Sequence, residues 1–225
     1  MPGVLVVDDQ HLIRAGLLAL LRTDPALSPV TEAADGPGAI EAARTGRPDL
    51  VLMDIKMPEM SGLTAAEHIL ALPLDPAPRV VVLTTFDEDE FVYAALRIGC
   101  SGFLLKDTPP AQLLAAVTAT LSGDVLVAPH RVRRLVEQRV ATVSRRTGDP
   151  AMLGALTERE TEVLRLVGQG RSNEEISGTV CISEATVKTH LHRVMSKLDL
   201  RSRAQAVVFA YESGLVVAGG GHPSP

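Results

Sequence analysis

The sequence predicts two domains, a doubly wound α/β domain on a five-stranded parallel sheet and then a small all-α domain. Three observations predict this. Short apolar runs alternate with helix-length stretches over residues 1–122, a basic, turn-rich segment follows over 123–150, and helix-start signals repeat from Thr157 onward.

The strands are expected at Val4-Leu5-Val6-Val7, Leu50-Val51-Leu52-Met53, Val80-Val81-Val82-Leu83 and Gly102-Phe103-Leu104-Leu105. Each run lacks alternation, which suits a strand buried on both faces. A shorter, weaker strand over Val30 to Ala33 completes about five βα units. Apolar spacing near 3.6 residues predicts helices such as Leu12 to Leu21 and Phe91 to Ile98, and the last α/β helix runs from Pro110 to Ser122. Residues 123–150 read as a linker with one Arg-rich amphipathic helix, Pro129 to Val143, and a polar end rich in turn residues. The basic residues of that helix read first as a solvated face. The tail, 218–225, is expected to be disordered.

In the second domain, 151–217, Thr157-Glu158-Arg159-Glu160, Ser172-Asn173-Glu174-Glu175 and Ser202-Arg203-Ala204-Gln205 each fit the reciprocal capping box, and Ser183 can cap another helix. Four helices follow, over 158–168, 173–179, 184–198 and 203–213. The short connection from Thr179 to Ser183 is that of a helix-turn-helix. On the third helix Val187, Leu191, Val194 and Leu198 form one apolar stripe, which turns Lys188, Thr189, His192, Arg193 and Ser196 outward. These side chains suit phosphates and base edges in a major groove.

Composition points to a globular cytoplasmic protein: apolar residues make up 46%, no stretch approaches 18 apolar residues, and the first residues lack a signal pattern. Cys100 and Cys181 share no metal-ligand spacing and read as buried small hydrophobes. Net charge is unevenly divided. Residues 1–121 carry 8 Lys+Arg against 16 Asp+Glu, 122–150 carry 6 against 3, and 151–225 carry 8 against 8. Within residues 186–203 Lys188, Arg193, Lys197, Arg201 and Arg203 face Asp199 alone, a local basic stripe.

Asp8 and Asp9, Asp54, Thr84 and Lys106 each follow a different apolar run. The carboxyl ends of neighbouring parallel strands lie side by side, so these residues can converge on one crevice. Carboxylates gathered there repel one another unless a cation neutralises them, and an all-oxygen cluster suits Mg²⁺.

Asp8-Asp9, Asp54-Ile55-Lys56-Met57-Pro58 with Gly62, Thr84-Thr85, Phe103 and Lys106-Asp107 resemble the receiver domain of two-component response regulators. Leu156-Thr157-Glu158-Arg159-Glu160 and Ser183-Glu184-Ala185-Thr186-Val187-Lys188-Thr189-His190 resemble a LuxR-type helix-turn-helix. The order of the two is similar to that of NarL/FixJ regulators, and it implies a flavodoxin-like receiver over 1–122.

That resemblance implies a phosphoprotein that is not an enzyme in its own right. Asp54 would be the phosphoacceptor, served by a sensor histidine kinase. Asp9, Asp54 and the Lys56 carbonyl would bind Mg²⁺ directly, and Asp8 through water. Lys106 would neutralise the phosphoryl group, Thr84 would move toward it, and Phe103 would turn inward in response. The expected result is a population shift in the face built from the fourth helix, fifth strand and fifth helix. It would free the DNA-binding domain from a dock on the receiver and favour a homodimer on double-stranded promoter DNA. RNA polymerase is a further partner the resemblance allows. Lys188, Thr189 and His192 are the base-reading candidates, and Arg193 and Arg201 the phosphate contacts. Ala204, Val207, Val208 and Tyr211 on the last helix fit either a dimer contact or the domain's own core.

Rival classes fit less well. A haloacid-dehalogenase-like phosphatase wants an acidic residue two positions after its nucleophile, where this chain has Lys56. An FMN-binding flavodoxin-like protein wants a phosphate cradle after the first strand, where Asp8-Asp9 would repel the phosphate. A receiver that no longer takes phosphate would not need all five site residues.

Overall fold

Four short apolar runs and the weaker segment Val30–Ala33 become five parallel strands in the computed structural model, which describes residues 1–85, 89–122, 129–142 and 150–217. The expectations for the 218–225 tail and for the two ends of the linker fall outside these residues. Two compact units are present, Met1–Gly123 and Asp124–Pro225.

In the first unit β1 (Val4–Val7), α1 (His11–Leu21), β2 (Val30–Ala33), α2 (Gly36–Gly46), β3 (Leu50–Asp54), α3 (Gly62–Ala71), β4 (Arg79–Thr84), α4 (Asp89–Ile98), β5 (Gly102–Leu105) and α5 (Pro110–Ser122) alternate without a break. The sheet order is β2-β1-β3-β4-β5, every pair parallel. All four residues of β1 and all five of β3 are buried, as continuous apolar runs require. Strand β2 gave a weak signal because it is an edge: Thr31 and Glu32 are exposed and only Ala33 is buried. The strand order reverses beside β1, and a crevice opens there at the carboxyl ends of β1 and β3.

Local chemistry sets the helix starts. Asp35 caps α2 by accepting the Gly38 N–H, with Pro37 in the first turn, and Ser61 caps α3 by accepting the Thr64 N–H.

The second unit holds α6 (Pro129–Thr142), a 3-10 turn (Pro150–Ala155), α7 (Glu158–Gly168), α8 (Asn173–Val180), α9 (Glu184–Lys197) and α10 (Arg203–Glu212). The Thr157 and Ser172 boxes are reciprocal, as expected. At Ser202 the hydroxyl accepts the Gln205 N–H, while Gln205 Oε1 reaches back to the Arg201 N–H. Helix α10 lies between α7 and α6. Val132, Leu135 and Val136 of α6 are buried, and the Tyr211 hydroxyl donates to Glu137 Oε1 at 2.8 Å. Burial pushes the Tyr211 hydroxyl's pKa up to about 12, with the Glu137 contact adding to the shift. Ala204, Val207, Val208 and Tyr211 are therefore core residues of their own domain.

Cys100 is fully buried, and burial pushes its thiol up to about 12. Cys181 corrects the sequence reading: it is exposed, because α8 stops there on a left-handed residue with φ 54° that turns the side chain outward.

Candidate functional site

The parallel register aligns the carboxyl ends of four strands. Val7 pairs with Met53, Asp54 with Leu83, and Thr84 with Leu105, so Asp8, Asp54, Thr84 and Lys106 all leave the sheet at one edge. The Lys106 N–H donates to the Thr84 carbonyl at 2.9 Å and carries the β4–β5 ladder one step further.

Lys106 Nζ lies 2.8 Å from Asp8 Oδ2 and 2.9 Å from Asp54 Oδ2. Both contacts are ion pairs without the direction of a good hydrogen bond, so two buried carboxylate oxygens keep unfilled accepting capacity. Asp8 and Asp54 are buried and Asp9 is exposed, and a carboxylate oxygen from each lies within 4.8 Å of the other two. Three carboxylates against one ammonium leave room for a divalent cation. The all-oxygen set and the two under-satisfied oxygens fit Mg²⁺.

Burial raises the pKa of Asp54, and the contact and charge of Lys106 oppose that shift. The like charge of Asp8 pushes it up further, while a hydrogen bond from the Lys56 N–H pulls it down. Burial alone would lower the Lys106 pKa, but its contacts with Asp8 and Asp54 win and the net shift is upward. The lysine therefore stays charged between its two acids.

Gly62 explains why α3 starts where it does. Its N–H donates to the Ile55 carbonyl at 2.8 Å, and a Cβ there would fall 1.7 Å from the Asp54 carbonyl oxygen. Only glycine lets the helix pass this close to the strand end.

Thr84 is buried at the end of β4, and its hydroxyl donates to the Thr85 carbonyl at 3.1 Å. Phe103 on β5 is already buried. The Lys56 side chain is exposed, with its ammonium 5.8 Å from the centre of the Phe91 ring on α4. The sequence held no hint of that contact. It also gave no role to Arg14, although Arg14, Leu18 and Leu21 are the buried residues of α1. An arginine on an apolar stripe was the available signal.

In the second unit α8 and α9 are joined through Cys181 and Ile182 to Ser183, whose hydroxyl accepts the Thr186 N–H at 3.2 Å. Val187, Leu191, Val194 and Leu198 are buried, whereas Lys188, Thr189, His192, Arg193 and Arg201 are exposed. The Thr189 hydroxyl donates to the Ala185 carbonyl at 2.9 Å, so it faces outward mainly as an acceptor.

The basic stripe is narrower than its sequence suggests. Lys197 Nζ is tied to Glu160 Oε2 at 2.7 Å, and the buried Arg203 donates to Asn173 Oδ1 at 2.6 Å and to the Arg171 carbonyl. These two cations hold helices together.

Residues 4–118 match the response regulator receiver domain family, and residues 154–210 match the luxR family of bacterial regulatory proteins. The chain is 36% identical over 213 residues to an uncharacterized transcriptional regulatory protein of Bacillus subtilis, YxjL, covering 95% of this chain and 96% of that one. It is 35% identical over 217 residues to the transcriptional regulatory protein LiaR of the same species, covering 96% and 100%. Among solved structures, a two-component response regulator of the LuxR family from Aurantimonas sp. aligns with a TM-score of 0.55 at 32% identity, covering 62% of this chain and 99% of that one. The acid crevice, the helix-turn-helix and these matches agree: the chain belongs to the NarL/FixJ-type response regulators, which control transcription in a phosphorylation-dependent way.

Proposed function

We propose that Asp54 is the phosphoacceptor, that residues 1–122 form the input domain and that residues 151–217 form the output domain. The observation that carries this is the Lys106 ammonium, held within 2.9 Å of both Asp8 and Asp54 in a cluster of three carboxylates.

The donor in this reading is a phosphohistidine on a sensor histidine kinase. An Asp54 oxygen attacks phosphorus, the P–N bond breaks, and its electron pair stays on the imidazole nitrogen. Transfer of this kind depends on positioning and on neutralising the phosphoryl oxygens. Mg²⁺, held by Asp9, Asp54 and the Lys56 carbonyl with Asp8 through water, would supply part of that positive charge. Lys106 supplies the rest: once Asp54 is esterified, its ammonium keeps Asp8 and gains a phosphoryl oxygen. Thr84 exchanges its bond to the Thr85 carbonyl for one to the phosphoryl group, and Phe103, already buried, shifts within the core into the space this leaves.

The output is double-stranded promoter DNA, bound by a phosphorylated homodimer with one α9 in each half-site. Lys188, Thr189 and His192 read bases, and Arg193 and Arg201 neutralise phosphates. RNA polymerase is the downstream partner. The protein is a regulator and not an enzyme, and it works in the cytoplasm. Among the described residues no helix is long and apolar enough to cross a membrane.

Incubation with a histidine-kinase donor or a small phosphodonor and Mg²⁺ should label the protein, and Asp54→Ala should stay unlabelled. Undiminished labelling of that variant refutes the assignment.

A further inference from the structure

We propose that Arg14 is a positioning residue for the cation site, pinning the main chain of Asp8 so that the Asp8–Asp9 pair is presented to Asp54. This rests on the reading of Asp8, Asp9 and Asp54 as that site.

Arg14 is buried on α1, and Nη1 donates to the Asp8 carbonyl at 2.7 Å. Its Nε donates to Glu32 Oε2 on β2 at 2.6 Å. A guanidinium is costly to bury unless its donors are used, and here its planar fork spans two strand ends at once. Elsewhere the turn is held by a long bond from the Asp8 N–H to the Ala33 carbonyl at 3.4 Å and by contacts of the Asp8 carboxylate. Gln10, at the N-cap of α1, makes no side-chain cap, and the Asp8 carboxylate itself accepts the Gln10 N–H at 2.8 Å. Asp8 is thus held at its carbonyl by Arg14 and at its carboxylate by Gln10 and Lys106, leaving the next residue, Asp9, at the mouth. Outer-shell partners of this kind fix the orientation of metal ligands.

The sign of the effect separates positioning from charge. A cation beside three carboxylates opposes the binding of a second cation. If Arg14 acted only through charge, Arg14→Met would tighten metal binding and Arg14→Lys would leave it unchanged. If Arg14 acts through its fork, both variants weaken it, because neither spans Glu32 and the Asp8 carbonyl.

The test is Mn²⁺ binding to the full chain, followed by calorimetry. Arg14→Met and Arg14→Lys should each raise the Kd roughly tenfold. Glu32→Asp, which keeps the charge on the exposed edge strand but shortens its reach to Arg14, should weaken binding severalfold by freeing the fork, and it keeps the test alive if an Arg14 variant misfolds. In labelling with a small phosphodonor, the Mg²⁺ concentration for half-maximal rate should rise in parallel while the rate at saturating Mg²⁺ changes by less than about twofold. Unchanged or tighter Mn²⁺ binding in Arg14→Lys and Glu32→Asp overturns the proposal. Failure of the underlying reading looks different: Asp9→Asn would then bind Mn²⁺ as the unaltered chain does.

Discussion

Glu160 uses one carboxylate for two contacts. Oε2 accepts the Thr157 N–H at 2.8 Å to close the capping box of α7, and it pairs with Lys197 at the far end of α9. The Lys197 contact, aided by the Thr157 backbone bond, holds its pKa down at about 2. Because the folded value lies below the ordinary carboxylate range, this stabilisation is complete above that range and is lost as pH falls through about 2. Glu160→Gln should therefore destabilise the C-terminal helices by about 1 kcal/mol at neutral pH, and by progressively less as pH falls from 5 toward 2. Urea titrations of both proteins followed by circular dichroism check this; a gap that stays constant with pH would contradict it. The same scale separates Arg203 from Arg201. Two positions apart in a basic sequence, one is buried on Asn173 and the other is exposed.

At the scale of elements, α9 has two faces with different work. Its inward stripe packs against α7 and α8, and its outward residues are the DNA candidates. Lys188→Ala should lower specific DNA affinity by roughly 1–3 kcal/mol with little change in thermal stability. Lys197→Ala, at the end of the same helix, should do the reverse. Anisotropy titrations beside thermal melts distinguish them, and an unaltered sequence preference in Lys188→Ala removes it as a base reader. Helix α6 was legible as an amphipathic stretch, but its partner was not. Val132, Leu135 and Val136 are buried on the helix that packs against α10, where Arg133 pairs with Glu137 at 2.8 Å and Tyr211 bonds the same carboxylate. Nothing local in Pro129–Thr142 names Tyr211, 74 residues beyond Glu137.

At the scale of the whole molecule, an acidic receiver unit is joined to a helix-turn-helix unit that carries a small basic surface. DNA binding by the full chain should tighten when the phosphodonor is present, and Asp54→Ala should remain at the level of the unphosphorylated protein. Anisotropy measurements across random duplexes at two salt concentrations test this. Binding that ignores the donor would remove the switch, while binding with no salt dependence would remove Arg193 and Arg201 as phosphate contacts.

Local sequence was enough to specify the strands, the capped helix starts and the convergence of Asp8, Asp9, Asp54 and Lys106. Each is encoded locally, by an apolar run that must be buried, by a capping side chain, or by a residue one step past a parallel strand end. Tertiary structure alone decided which charged residues are tools and which are ties. Lys197 and Arg203 look like any surface cation in sequence, but each meets a distant carboxylate or amide that only the packing of helices brings within reach. Cys181 and Phe91 make the same point, since exposure at a helix stop and a ring beneath the Lys56 ammonium depend on how the chain turns in space.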